Sequence, residues 1–264
     1  MFKYLASTWE CRYFWLSLVK NDLRLRYRRS FLGIGWSLLQ PLATAAVTCA
    51  VFHAIFHRDI RQHGLFILTG LACWSYITTC VIQGCQSYVQ AESYIRQHPL
   101  PMAIYPLRTT LGTLVHFLIA LGLVTVLTWI LKGFENVVTL WAILPALLLY
   151  FQFGWAVATL AGYVNVVFRD TQHFFEMGFP ILFYLTPIIY TAEDVANTPV
   201  GFLVANNPLV PFLNMIRLPL LHQPEGHQLP SLFCYASATG ITLVLTLLAA
   251  MTLRYQQRRV ILYL

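Results

Sequence analysis

Few side chains in this sequence can do chemistry, and most of those stand at the ends of apolar stretches. His53 and His116 are exceptions, each falling inside one. An ionisable residue at membrane depth is costly and marks function by default. Neither histidine has a carboxylate at a neighbouring position, so each reads first as an interhelical hydrogen-bonding residue. A membrane acyl- or glycosyltransferase built on either one is the alternative; it needs a polar constellation at the membrane border that the sequence does not assemble. Arg169-Asp170 is the other charged feature. Adjacent opposite charges at a membrane border suit a gate or hinge; the simpler reading is a topology charge plus a first-turn acid on the following helix. The chain contains no GxxxxGK[ST], HExxH or GxSxG, and no apolar stretch carries paired carboxylates. The six cysteines form no CxxC pair. The expectation is therefore a chain with no catalytic residue, no metal site and no cofactor of its own.

Aromatic rings supply the remaining signal. Phe31, Trp36, Phe52 and Phe56 belong to the first apolar stretch and its approach, while Phe179, Phe183, Tyr184 and Tyr190 crowd the fifth together with Phe174 and Phe175. Trp and Tyr at span ends form ordinary interfacial belts. Rings in mid-span are core packing by default, but their faces also suit sliding sugars, which stack without fixing a register.

The elements that must position these residues follow from composition. The chain of 264 residues is 58% hydrophobic and 10% charged, against about 25% charged in soluble domains. Lipid is the solvent that tolerates such a deficit, and the expected fold class is an all-α membrane protein with six transmembrane helices. Six apolar stretches are expected as spans, at about 37–56, 65–85, 111–131, 140–168, 174–190 and 232–253. The fourth is long and must tilt, or kink near Pro145; the fifth is broken by Pro180 and Pro187. Residues 1–33 hold no span and read as a cytoplasmic amphipathic interface segment or, equally, as a basic topology anchor: Leu16, Val19, Leu23 and Tyr27 form one ridge with Ser17, Lys20, Arg24 and Arg28 beside it, while Phe14, Leu18 and Leu25 form a second apolar ridge. The first span, rather than a cleaved leader, is expected to direct insertion.

Lys and Arg set the orientation. With the N-terminus inside, thirteen of the seventeen lie on the cytoplasmic side and only Arg58, Arg61, Lys132 and Arg217 lie outside. Both termini are then cytoplasmic. The net charge of +7 serves membrane orientation, not nucleic acid. The cytoplasmic loop 86–108 carries a short helix with Glu92 and Arg96, stopped by Pro99 and Pro101; it is an ordinary connection or a docking point for a soluble partner. The outer region 191–231 opens on a capping-box pattern at Thr191-Ala-Glu-Asp194 and continues with Asn207-Pro208, an N-cap followed by proline. It is too apolar for a solvated loop and reads as outer re-entrant helices, whose irregular backbone must be buried in protein or line a wet cavity.

Four segments resemble the ABC-2 type permeases, in their polysaccharide-exporting branch (O-antigen, capsule, teichoic acid). RYRRSFLGIGWSLLQPL (Arg26–Leu42) is similar to that family's approach to the first span. ESYIRQHPLPMAIYPLR (Glu92–Arg108) is similar to its coupling loop, YVNVVFRDTQHF (Tyr163–Phe174) to its motif after span four, and NPLVPFLNMIR (Asn207–Arg217) to its outer re-entrant region. The resemblance implies a type V exporter-like fold over residues 34–264 and a homodimer in the bacterial inner membrane. It implies two copies of a separate ABC ATPase that carries the ATP and Mg, docked on Glu92, Arg96, Pro99, Pro101, Arg24 and Arg28. It implies a channel lined by the aromatics of spans one and five, and a lipid-linked glycan as cargo. An ABC-2 exporter of a drug or small lipophile is the nearer alternative.

Overall fold

The computed structural model describes residues 7–27, 33, 35–56, 59–97, 100–221 and 229–263, and all regular structure among them is helical. The main helices are α1 (Arg12–Tyr27), α2 (Gly35–Phe56), α3 (Ile60–Gln86), α4 (Glu92–Gln97) and α5 (Ile104–Lys132), then α6 (Ile143–Val167), α7 (Thr171–Leu185), α8 (Gly201–Ala205), α9 (Val210–Leu221) and α10 (Leu232–Tyr263). Single 3₁₀ turns occupy Glu135–Val138, Leu140–Ala142 and Ala192–Val195. Among the described residues four stretches are long and apolar enough to cross a membrane: Ile60–Gln86, Ile104–Lys132, Leu140–Val167 and Leu232–Tyr255.

Helix α3 is the axis of the bundle. The most apolar window of α3 is 61% buried, against 22% for α5 and 17% for α10, so the peripheral helices turn most of their apolar surface outward. Helix α3 packs on α6 through small residues. A Cβ on Gly84 would lie 2.6 Å from the Ala158 Cα, and one on Gly162 would lie 2.7 Å from the Gly84 carbonyl oxygen. Close backbone approach of this kind drives helix association where hydrophobic burial cannot. Gly84→Val is therefore expected to separate the two helices and cost at least about 2 kcal/mol, read as a lower thermal midpoint of the extracted protein; an unchanged midpoint would contradict the packing. Further along the same seam sits an aromatic core. Tyr76 donates to the Tyr150 carbonyl at 2.9 Å, and both rings pack with Phe117; Phe212 of α9 closes on Tyr150.

Several elements differ from sequence expectation for identifiable reasons. No kink is required at Pro145: it is the third residue of α6, where its missing N–H has no intrahelical partner to lose. Helix α5 begins at Ile104, inside the expected loop, because Pro106 likewise falls in its first turn. Helix α7 stops at Leu185, and Thr186–Tyr190 is irregular where Pro187 cannot continue it. On α1 the buried pair is Leu18 and Val19, while Leu16 is exposed; α1 lies against α5, and that contact sets its inner face. The ridge residue Tyr27 and Arg28 beside it have no described side chain.

Candidate functional site

At the end of the bundle that bears α4, three elements meet. Arg108, at the start of α5, donates through Nε and Nη2 to both carboxylate oxygens of Asp22 on α1. Two parallel charge-assisted bonds fix orientation as well as distance. Phe14 of α1 meets Tyr94 of α4 edge to face, with centroids 6.0 Å apart. Helix α4 is anchored by one side chain, Ile95, which is buried with Tyr88, Met102, Tyr105, Val166 and Leu253. Its remaining residues turn outward. Glu92 and Arg96 pair at 2.9 Å on that exposed face, where an ion pair contributes little stability and both groups stay available to a partner. Arg24 is exposed on α1, and Pro101 is half-buried at the turn into α5. Pro99 and Arg28 lie outside the described residues.

The Asp22–Arg108 pair ties this surface to a long apolar helix. Arg108→Ala is expected to loosen α1 by about 1–2 kcal/mol, seen as faster limited proteolysis of α1. The double variant Asp22→Arg with Arg108→Asp should recover part of the protection. Equal proteolysis of all three proteins would remove the pair as the tether.

Beneath α4, one buried side chain joins three helices. Asn165 of α6 donates from Nδ2 to the Cys85 carbonyl at the end of α3, 2.9 Å away, and its Oδ1 accepts from the Gln172 backbone N–H of α7 at 3.3 Å. It thus satisfies an orphan carbonyl at one helix C-terminus and an orphan donor at another's N-terminus. Gln86 donates to the Gln172 side chain, which in turn donates to Glu176 at 2.7 Å. Arg169 and Asp170 stand at this junction, exposed and in no side-chain hydrogen bond or ion pair among the described residues. Asp170 occupies the cap position of α7 without a side-chain cap bond. The junction is held by Asn165 and Gln172, which the charge-based reading of the sequence passed over. The segment's position after a long apolar run was the available signal.

The aromatics divide into two groups. Phe179 and Phe183 are half-buried and meet Trp74 of α3 at 5.8 and 5.6 Å, so they pack α7 onto the bundle. Tyr184 is exposed, in line with Phe174, Met177 and Ile181 at helical spacing. That outward face of α7 has no partner among the described residues. On α2, Trp36, Leu39, Val47 and Val51 are exposed. Phe52 is half-buried and stacks near His63, 5.4 Å between centroids. Tyr190 donates to the Tyr184 carbonyl at 2.7 Å. Phe31 and the Phe56 side chain lie outside the described residues. His53 is exposed on the last turn of α2, and His116 is half-buried on α5. Missing from the sequence reading were Trp74, Met177 and Ile181, which lack the ring density that drew attention to their neighbours.

The opposite end is closed by α9. Asn207 is buried: its Oδ1 accepts from the Leu209 N–H at 2.9 Å, and its Nδ2 donates to the Leu185 carbonyl and the Thr186 hydroxyl. Pro208 follows it, and the helix begins at Val210. Thr191 and Asp194 form a reciprocal capping box. Arg217 is only 5% exposed. It donates to the carbonyls of Pro187 and Ile188 and, at 3.3 Å, to that of Phe66, with its guanidinium 3.7 Å above the Phe66 ring. The irregular backbone after α7 thereby receives hydrogen bonds deep in apolar surroundings.

A bundle of long apolar helices, with a short polar helix displayed at one end and a buried broken segment at the other, has the architecture of a multi-pass membrane protein. Residues 13–221 match the family described as ABC-2 type transporter, and the chain belongs to that family. It is similar to the O-antigen export system permease protein RfbA of Klebsiella pneumoniae, at 26% identity over 192 residues, covering 73% of this chain and 74% of the relative. The protein of the same name from Myxococcus xanthus is 26% identical over 219 residues, covering 80% and 81%.

Proposed function

We propose that this chain is the membrane subunit of an exporter that moves a lipid-linked polysaccharide from the cytoplasm to the outer face of a bacterial inner membrane, driven by a separate ABC ATPase. The observation that carries the reading is the pair of O-antigen export permeases aligned over most of the chain. Both termini lie inside by the bias of Lys and Arg. The six crossings are α2, α3, α5, α6, α7 and α10. Helix α7, with 15 residues, reaches about 22 Å, short of the ~30 Å hydrocarbon core; Thr186–Tyr190 completes the passage. Helices α8 and α9 re-enter from the outer side.

The outward-facing polar residues of α4 and the exposed Arg24 form the socket for the ATPase. Movement of α4 passes to α7 through Asn165, and Arg169–Asp170 flank the hinge. Two copies of the chain associate through the unpartnered faces of α2 and α7, with Trp36 and Tyr184 on the glycan path between them. This arrangement favours glycan over a small lipophile because the unpartnered face is long and ring-bearing. Affinity purification of the tagged chain should recover an ATPase at equal stoichiometry. Glu92→Lys with Arg96→Glu should lower its recovery or its permease-dependent ATP turnover severalfold. Recovery of a monomeric chain without any ATPase would sink the reading.

A further inference from the structure

Helix α1 has three sides, and two of them meet other described helices. Leu18 and Val19 are buried and Asp22 is tied to Arg108, so one side lies on α5. Phe14, on a second side, reaches Tyr94 of α4. The third side carries Trp9 on the turn before α1, then Tyr13, Leu16 and Lys20, at i, i+4, i+7 and i+11. Residues at this spacing share one helix face. All four are exposed, Trp9 and Tyr13 at 64% and 73%. Phe14 is turned about 100° from Tyr13, so the side that meets α4 is not the side that carries these rings.

Arg12 joins the rings. Its guanidinium lies 5.7 Å from the centre of the Trp9 ring and 4.7 Å from that of Tyr13, and its Nη2 donates to the Tyr13 hydroxyl at 3.5 Å. Cation, indole and phenol thus form one exposed cluster. Neither Arg12 nor Lys20 forms an ion pair among the described residues, whereas Arg96 and Arg108 both have carboxylate partners. Residues 7–27 hold the cations Arg12, Lys20, Arg24 and Arg26 against Glu10 and Asp22, and Asp22 is already engaged by Arg108.

The composition of this face decides what covers it. Trp and Tyr favour the headgroup layer of a bilayer, where one end of the ring is apolar and the other wet. A helix that presents rings and free cations on one face lies in the plane of that layer. The cytoplasmic leaflet carries negative charge, and each Lys or Arg near its surface strengthens binding about fivefold. A guanidinium adds a planar donor fork that fits phosphate oxygens.

We propose that Trp9, Arg12, Tyr13 and Lys20 form a binding site for the phosphate headgroups of anionic phospholipids in the cytoplasmic leaflet, and that lipid bound there seats α1 against α5 and α4. The choice of leaflet rests on the exporter reading, which places the N-terminus inside; the chemistry of the face does not. The test takes the full-length chain in phosphatidylcholine nanodiscs in which phosphatidylglycerol is raised stepwise, and reads limited proteolysis of α1. Protection should grow with the phosphatidylglycerol fraction and fall back at high salt. Arg12→Gln with Lys20→Gln should need at least about fivefold more phosphatidylglycerol for half-protection. Its thermal midpoint in phosphatidylcholine should match wild type, since neither side chain is buried. Arg12→Lys with Lys20→Arg keeps both charges and should keep the lipid dependence. Arg61→Gln removes an exposed cation at the opposite end of the bundle and should leave the titration unchanged. Equal protection of wild type and the double Gln variant at every lipid composition overturns the proposal and leaves α1 a charge-independent interfacial helix. Protection that appears only when the copurified ATPase is added, in phosphatidylcholine alone as in the mixtures, assigns the face to that subunit and overturns it too. A chain that shows the lipid dependence yet restores no surface glycan in a deletion strain overturns the exporter reading and leaves the headgroup site standing.

Discussion

Arg217→Leu is expected to abolish most of the folded protein. The buried guanidinium supplies hydrogen bonds to the carbonyls of Pro187, Ile188 and Phe66, and leucine supplies none. Each carbonyl left bare in apolar surroundings costs about 1–3 kcal/mol. Loss of the cation–π contact with Phe66 adds about 1 kcal/mol. The total is at least about 4 kcal/mol, a large share of the 5–15 kcal/mol by which proteins are stable. Arg217→Lys keeps a charge but not the planar fork that reaches several oxygens at once, so it should recover only part of the loss. Gly70→Ala checks the same contact from the other side, because a Cβ there would lie 2.2 Å from the Arg217 Nη2. Membrane-inserted yield and the thermal midpoint after extraction measure all three. A midpoint for Arg217→Leu equal to wild type would contradict the clamp.

Asn165→Leu is expected to separate ATP hydrolysis from transport. Its amide caps α3 and α7 together, so leucine leaves one carbonyl and one N–H buried without a partner, at a cost of about 2–4 kcal/mol. Helices α3 and α6 remain held by the Gly84–Gly162 seam and α7 by Phe179 and Phe183 on Trp74, so the chain should still insert. Its loss falls on the link from the end of α3 to the start of α7. Export should drop at least tenfold while ATP turnover by the bound ATPase stays within about twofold of wild type. Asn165→Asp keeps the acceptor for the Gln172 N–H and loses the donor to Cys85, and should be intermediate. Parallel loss of export and ATP turnover would make Asn165 a residue of folding alone.

What the sequence reveals and conceals follows from which interactions are local. Apolar length is local, so the helical, membrane-embedded character was legible, as was the capping box at Thr191 and Asp194. Helix ends were less so. Pro145 read as a place for a kink, yet it sits in a first turn, where proline is tolerated, and Pro106, in the first turn of α5, lets that helix start inside the expected loop. The carbonyls that Arg217 holds were not legible. Arg217 read as one of four outer cations and as the end of the segment that resembles a re-entrant region, whereas its partners are carbonyls 29 to 151 residues away in the chain. Asn165 was hidden for the same reason, 80 residues from the carbonyl it caps. Ring density along span five was visible, but periodicity alone could not separate Phe179 and Phe183, which pack on Trp74, from Tyr184, which faces out.

The central claim is that a lipid-linked glycan crosses the membrane through this chain. Deletion in the native host, followed by quantifying glycan on the cell surface and in the cytoplasm, tests it most directly. The account predicts loss of surface glycan, accumulation of the lipid-linked form inside, and restoration of both by the wild-type chain but not by Asn165→Leu. Undiminished surface glycan in the deletion strain, with no second permease present, would contradict it.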